Sequence, residues 1–433
     1  MVVRPARHIE NVRYAIRNVV AEAHRLETQG QHILYLNIGD PLKFDFQTPP
    51  HLIEAVHRAM RDGHNGYAPS AGILTAREAI SRECANRGIP NITPDDVVVT
   101  TGASEALELA LTALLDPGDR VLLPSPGYPL YNALMAKLNA QGVPYSLDEE
   151  NGWSLDLEEI DRLCTPGTRA LILCNPNNPT GAVLDRKVLE GLLEIARRHG
   201  LVILSDEIYD KLIYDKPHVA TASLATDVPI LTFNGLSKGY LACGWRVGWM
   251  VFCNAHLMPE LRAAVQRLAD ARLCGPAPQQ YAIAPALDGP QDHIPEMMGR
   301  LRRRRDLMVR RINAIPGLSV VEPAAAFYAM PRLRLPGVTS DEPSSCPCCA
   351  RRACCSSTAA ASGRSPAPPT SAWCSCPPRT SSPPPSTGSR PSSTRTTRAD
   401  PAPSLAGGRG GGAQSEPRAG LACYVRPHAS PTP

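Results

Sequence analysis

Five short stretches end in residues able to do chemistry. In "FNGLSKGYLACGWRVGWM", Lys238 follows an apolar run and Arg246 lies eight residues further on. A lysine in a partly desolvated pocket is a usable amine nucleophile toward a carbonyl, through a Schiff base. An arginine beside it can fork a phosphate. Taken alone, a lysine after a strand is ordinarily a surface residue. "SDEIY" sets Asp206 at the end of an apolar run, where an unpaired carboxylate is unfavourable. A structural arginine or the protonated nitrogen of a bound pyridine would each satisfy it. "NPNNPTG" supplies Asn178 as an amide donor, or as ordinary turn chemistry. "TTGAS" offers the backbone of Gly102, Ala103 and Ser104 as a phosphate nest at a helix start, although Ser104 also suits a plain N-cap. "PGYP" presents Tyr128 as an aromatic plate, or as core packing.

These residues need elements to bring them together. "VVVTTG", "DRVLLPSP", "RALILC", "LVILSDEIY", "ILTFNG" and "GWMVF" are short apolar runs bounded by turn residues. Between them lie stretches of helical period such as "SEALELALTALL" and "DRKVLEGLLEIARRHG", the latter closed by Gly200. Near-continuous apolar strands alternating with helices predict a mostly parallel sheet covered on both faces. In such sheets ligands sit beyond the carboxyl ends of the strands, and the reactive residues all follow strands. Further on, "AHLMPELRAAVQRLADARLC" and "IPEMMGRLRRRRDLMVRRINAI" read as long helices, and "GLSVVEPAAAFYAMPRL" as strand, turn, strand. Arg302–Arg305 spread around a helix and read as a solvated face rather than a nucleic-acid patch.

A lysine for an aldehyde, an aspartate for a ring nitrogen, a nest plus arginine for a phosphate and an aromatic for a ring face together describe a pyridoxal 5'-phosphate site. The motifs "LNIGDP", "GYAPSAG", "PGYPLY", "NPNNPTGAV", "DEIYDKLIYD" and "TFNGLSKGYLACGWRVGWM" follow one another over roughly residues 8–342. In them the chain resembles the class I aminotransferases of the aspartate aminotransferase fold, most closely their alanine aminotransferase branch. The resemblance implies a pyridoxal-phosphate-dependent transferase fold of type I, with a seven-stranded sheet between helices and a small α+β domain. It implies ping-pong amino transfer between an amino acid, with alanine and glutamate favoured, and a 2-oxo acid. Lys238 would carry the cofactor and serve as base for the proton shift, and Asp206 would pair with the ring nitrogen. Asn178 and Tyr209 would donate to the ring oxygen. Gly102, Ala103, Ser104 and Arg246 would hold the phosphate, and Tyr128 would stack on the ring. Tyr67 would reach the phosphate in a partner subunit, giving a homodimer with shared sites. Gly39 and Asn178 would lie against the substrate carboxylate. Two departures stand out: Gly235 occupies a position that carries a phosphate-binding serine in some relatives, and no carboxylate-gripping arginine motif follows residue 342. Other readings on the same scaffold are a C–S lyase or eliminase, an aspartate or aromatic aminotransferase, and a non-catalytic cofactor-binding module.

The net charge of +4 on 433 residues calls for neither nucleic acid nor an acidic membrane. No run reaches the length of a membrane span, and the basic residues of the first thirty are not followed by the apolar run of a signal peptide, so a cytoplasmic protein is expected. Composition breaks near Glu342. Before it stand six scattered cysteines; after it come the other eight of the 14, with Ser, Thr, Arg and Pro runs and few aliphatic residues. The expected division is an N-terminal segment 1–45, a large cofactor-binding domain 46–285, the start of a small domain 286–342, and a disordered tail 343–433. The spacing in "CPCCARRACC" does not suit zinc, and no metal site is expected. Regrouping each codon's last base with the next two turns the tail into "VLLVHGGGFGQ" and "FRVVFLP", the strands the small domain needs. The second contains the missing arginine. The tail therefore reads as a frameshift.

Overall fold

The apolar runs become strands whose residues are buried on both faces. The computed structural model describes residues 3–12, 20, 23–37, 39–334 and 354–355. In chain order the strands are β1 (Leu34–Tyr35), β2 (Val97–Thr100), β3 (Arg120–Ser125), β4 (Gln141–Asp148), β5 (Ser154–Leu155) and β6 (Thr168–Cys174). There follow β7 (Val202–Asp206), β8 (Ile230–Gly235), β9 (Gly248–Cys253), β10 (Leu318–Val320), β11 (Pro331–Leu333) and β12 (Cys354–Cys355). Eight of them form one sheet in the order β2-β9-β8-β7-β6-β3-β4-β5. Seven make the expected central sheet, and the two-residue β5 adds antiparallel to the edge of β4.

From β8 to β4 every neighbouring pair is parallel. Only β9 runs against both its neighbours, β2 and β8. This reversal matters for the site. The carboxyl ends of β2, β3, β6, β7 and β8 and the amino end of β9 all open on one edge, so Arg246, just before β9, meets residues that follow the other strands.

Helices cover both faces. Leu189, Leu192, Leu193, Ile195 and Ala196 of the helix Arg186–His199 enter one core. Ala106, Leu107, Ala110 and Leu111 of the helix Ala103–Leu114 enter the core on the opposite face. Gly200 ends the first of these helices at φ +64°, a conformation that favours glycine. The run from Ala255 breaks into a short turn and a helix, Pro259–Ala271, because proline takes the first helical position.

The long helix His293–Asn313 packs beside the antiparallel pair β10–β11. Its arginines correct the expectation of a solvated face. Arg300 and Arg304 both pair with Asp45, and Arg302 and Arg305 with Asp215. Arg305 is buried and also donates to Pro323 O at 3.2 Å. The guanidinium groups of Arg300 and Arg304 also lie 4.7 and 5.2 Å from the ring centre of Phe46. Periodicity alone does not reveal this, because the acidic partners are remote in sequence. Apart from β12, which pairs in parallel with β1, the expected tail lies outside the described residues.

Candidate active site

Asp206 is the last residue of β7 and is 4% exposed. Tyr131 Oη donates to its Oδ2 at 2.8 Å, and the Ile208 N–H approaches Oδ1 at 3.4 Å. Among the described residues no Arg, Lys or His forms an ion pair with it, so the structural-arginine alternative does not hold. Burial pushes the carboxyl up to about 6, with the Tyr131 hydrogen bond opposing the rise. A buried carboxylate short of a cation is suited to a ligand that brings a protonated nitrogen.

Lys238 stands three residues beyond β8, the strand beside β7. Its Nζ donates to Gly39 O at 2.9 Å and lies 5.9 and 5.6 Å from the ring centres of Tyr209 and Phe327. The backbone carbonyl anchors the amine, and the aromatic faces restrict its solvation.

Three glycines let the phosphate-sized corner close up. Gly102, at φ +77°, caps the helix Ala103–Leu114, and a Cβ there would lie 2.4 Å from Arg246 Nη2. A Cβ on Gly248 would meet Ala103 N at 2.4 Å, and one on Gly235 would meet Val247 O at 2.6 Å. Glycine at 235 is therefore a packing requirement here. The first intrahelical bond in this helix is Glu105 N–H to Gly102 O, which leaves the Ala103 and Ser104 amides ahead of it. Ser104 is not the N-cap. Arg246 sits at φ +56° and donates to Cys243 O at 3.1 Å, beside the amide corner. The Thr101 amide is taken by Glu105 Oε2 at 2.6 Å, which leaves two half-buried amides and a guanidinium as a corner suited to a phosphate.

The asparagines after β6 divide their work. Asn175 Oδ1 accepts from Leu184 N at 3.0 Å, and Asn177 Oδ1 from Thr180 N and Oγ1 at 3.2 and 2.8 Å, so these two hold the turn. Asn178 is left over, and its Nδ2 reaches Tyr209 Oη at 3.4 Å. Burial holds the Tyr209 hydroxyl well above its usual range, so it is a neutral donor. Tyr128 caps the helix Pro129–Leu138 and meets Tyr131 edge-on, ring centres 5.7 Å apart. Tyr67 stands apart, 86% exposed.

Sequence reasoning missed two members. Tyr131, the donor to Asp206, is one helical turn from Tyr128, a spacing that places both on one face. Tyr328, whose hydroxyl lies 3.0 Å from that of Tyr209, gave only adjacent aromatics in an Ala-rich turn as its signal. Below the site, Glu207 is fully buried and takes an ion pair from Arg87 and the hydroxyl of Ser205 at 2.9 Å. Arg87 also faces Asp210 at 3.6 Å, tying the end of the helix Leu74–Asn86 to the segment after β7. Among the described residues no acidic, His and Cys cluster could hold a metal.

Residues 31–343 match the family model for class I and II aminotransferases. The chain is 42% identical over 336 residues to the alanine aminotransferase of Mycobacterium tuberculosis, a match spanning 75% of this chain and 77% of that one. It is 42% identical over 335 residues to the glutamate–pyruvate aminotransferase AlaA of Escherichia coli, spanning 75% and 81%. The solved alanine aminotransferase of Pyrococcus furiosus superposes with a TM-score of 0.75 at 44% identity, covering 77% of this chain and 85% of that one. With this sheet, this order of site residues and this extent of similarity, the chain belongs to the class I and II aminotransferases, which work with pyridoxal phosphate.

Proposed function

We propose that the chain binds pyridoxal phosphate at the strand ends of β2, β6, β7 and β8, and exchanges amino groups between alanine or glutamate and the 2-oxo acids pyruvate and 2-oxoglutarate. The observation that carries this reading is the buried Asp206, without a cation, beside the strand that leads to Lys238. The names of the relatives support the choice of substrates.

Bound pyridoxal phosphate supplies a carbonyl for amines and a ring that accepts electrons. The protein's part follows from its own groups. Lys238 Nζ is the amine that would hold the cofactor and, when free of it, would accept and return the substrate's proton. Gly39 O holds that amine at 2.9 Å. Asp206, kept in place by Tyr131, would hold a protonated ring nitrogen through its carboxylate. Gly102, Ala103, Ser104 and Arg246 fix the phosphate, and Tyr128 covers one ring face. Asn178 and Tyr209 donate to the ring oxygen, with Asn178 and Gly39 toward the substrate carboxylate. The large domain is 46–285, with 1–45 and 286–342 belonging to the smaller one. Tyr67 serves a partner subunit in a homodimer. Among the described residues no helix is long and apolar enough to cross a membrane.

The test is chemical. Protein incubated with pyridoxal phosphate and reduced with borohydride should carry the label on the peptide containing Lys238. A label on any other lysine overturns the assignment.

A further inference from the structure

Tyr328 has no part in the scheme above, yet its position is fixed from three sides. The turn before it is bonded to two segments of the site. Ala324 and Ala325 N–H donate to Gly181 O at 3.0 and 2.9 Å, in the loop that carries Asn178. Ala326 N–H donates to Leu212 O at 2.7 Å, and Tyr214 N–H to Ala324 O at 3.0 Å, in the segment that carries Tyr209. Ala326 is fully buried at φ +58°, a conformation a non-glycine residue keeps only when its surroundings hold it there. On the third side, a Cβ on Gly39 would lie 2.2 Å from Tyr328 Oη, so only glycine at 39 leaves the hydroxyl where it is.

From that place Tyr328 Oη lies 3.0 Å from Tyr209 Oη, with the rings edge-on at 83°. Tyr209 Oη also lies 3.4 Å from Asn178 Nδ2. A phenol oxygen accepts up to two hydrogen bonds and donates one. If Asn178 gives one of its two amide N–H groups and Tyr328 its hydroxyl proton to Tyr209, the proton of Tyr209 is left free to donate onward. A chain of donors also strengthens the last one. Resting on the reading of Tyr209 as a donor to the cofactor, we propose that Tyr328 is a positioning residue: it donates to Tyr209 Oη and so commits the Tyr209 proton to the cofactor's ring oxygen.

The test is a double-mutant cycle on the affinity of the full chain for pyridoxal phosphate, read by its visible absorption. Tyr328→Phe keeps the ring and its packing and removes only the hydroxyl. It should weaken binding about three- to tenfold, the size of one hydrogen bond, and shift the absorption of the bound cofactor. In the Tyr209→Phe background the same change should alter affinity less than about twofold, because the relay has lost its end. Equal losses in both backgrounds mean that Tyr328 is only structural, and no loss in the unmodified background removes the role outright. If Tyr209→Phe alone changes neither affinity nor spectrum, then the reading of Tyr209 fails and the relay with it. Borohydride labelling of Lys238 reports separately on the cofactor site as a whole.

Discussion

Asp206 trades stability for binding. Its carboxyl is raised from the ordinary 3.8 to about 6 by burial. A raised acid favours folding while it is protonated, and that contribution is lost as pH climbs from about 4 through about 6. A shift of about two units corresponds to roughly 3 kcal/mol at neutral pH, an upper figure because the unfolded reference and local relaxation both reduce it. Asp206→Asn mimics the protonated form and can still accept from Tyr131. The cofactor-free variant should therefore be more stable than the parent at pH 8, by about 1–3 kcal/mol, with the difference shrinking toward pH 4. Urea denaturation at both pH values measures it. The same variant should bind pyridoxal phosphate at least about tenfold more weakly. A variant that gains no stability at pH 8 would mean that the carboxylate is satisfied without a ligand. The residue types at this site were legible because strand ends, turn residues and reactive side chains coincide in "SDEIY" and "NGLSK". Tyr131 and Tyr328 were not, since their hydrogen bonds to Asp206 and Tyr209, remote in sequence, leave no periodic trace.

At the scale of elements, the turn carrying Tyr67 is firmly anchored while its side chain stays exposed. Ser70 Oγ donates to Asp270 Oδ1 at 2.5 Å, and Gln266 Nε2 to Ser70 Oγ at 3.0 Å, fixing the turn to the helix Pro259–Ala271. His64 stacks on Tyr281 at 4.4 Å just before it. A turn so anchored that still presents an 86% exposed tyrosine fits a residue that serves another chain. Tyr67→Phe should lower the affinity for pyridoxal phosphate about tenfold, the scale of a charge-assisted hydrogen bond. Verified hybrids of a Lys238→Ala chain with a Tyr67→Phe chain should then hold one lysine-bound cofactor with the parent's affinity. Hybrids that bind no better than the Tyr67→Phe homodimer place Tyr67 outside any shared site. The central strands were legible from their apolar runs. β4 was not, since it lies near the sheet edge with alternating burial and carries Pro144, so it offers no continuous apolar run. The arginines of the long helix misled for a related reason: their charges point to solvent in the pattern, while Asp45 and Asp215 become neighbours only in the fold.

Among the described residues, one eight-stranded sheet adjoins a smaller part built on two two-stranded pairs. The family match ends at residue 343, where the composition changes. β10 and β11 pair over three residues, β1 and β12 over two. A two-stranded pair is marginal in water without further strands or helix packing. Met308, Ile312 and Val320 form only a small separate cluster, and Leu307, Ile315 and Leu34 stay 41, 37 and 43% exposed. β12 falls inside the stretch whose other reading frame spells "VLLV", a sequence suited to the missing strand. We therefore propose that the chain after Glu342 is the product of a frameshift. As written, it should bind pyridoxal phosphate, because the proposed cofactor residues all precede the break, but it should turn over poorly. The arginine hidden in "FRVVFLP" would grip the substrate carboxylate, and losing one side of a buried charge pair typically costs about 2–5 kcal/mol. That is roughly 30- to several-thousand-fold in an equilibrium. Inserting one base before the Pro343 codon should restore alanine–2-oxoglutarate turnover by at least about 30-fold and raise the soluble yield, since the new strands would cover the exposed apolar edge. Equal turnover by the two chains, measured at saturating cofactor, would show that the small domain's missing segment is not needed and that the tail is a native part of the enzyme.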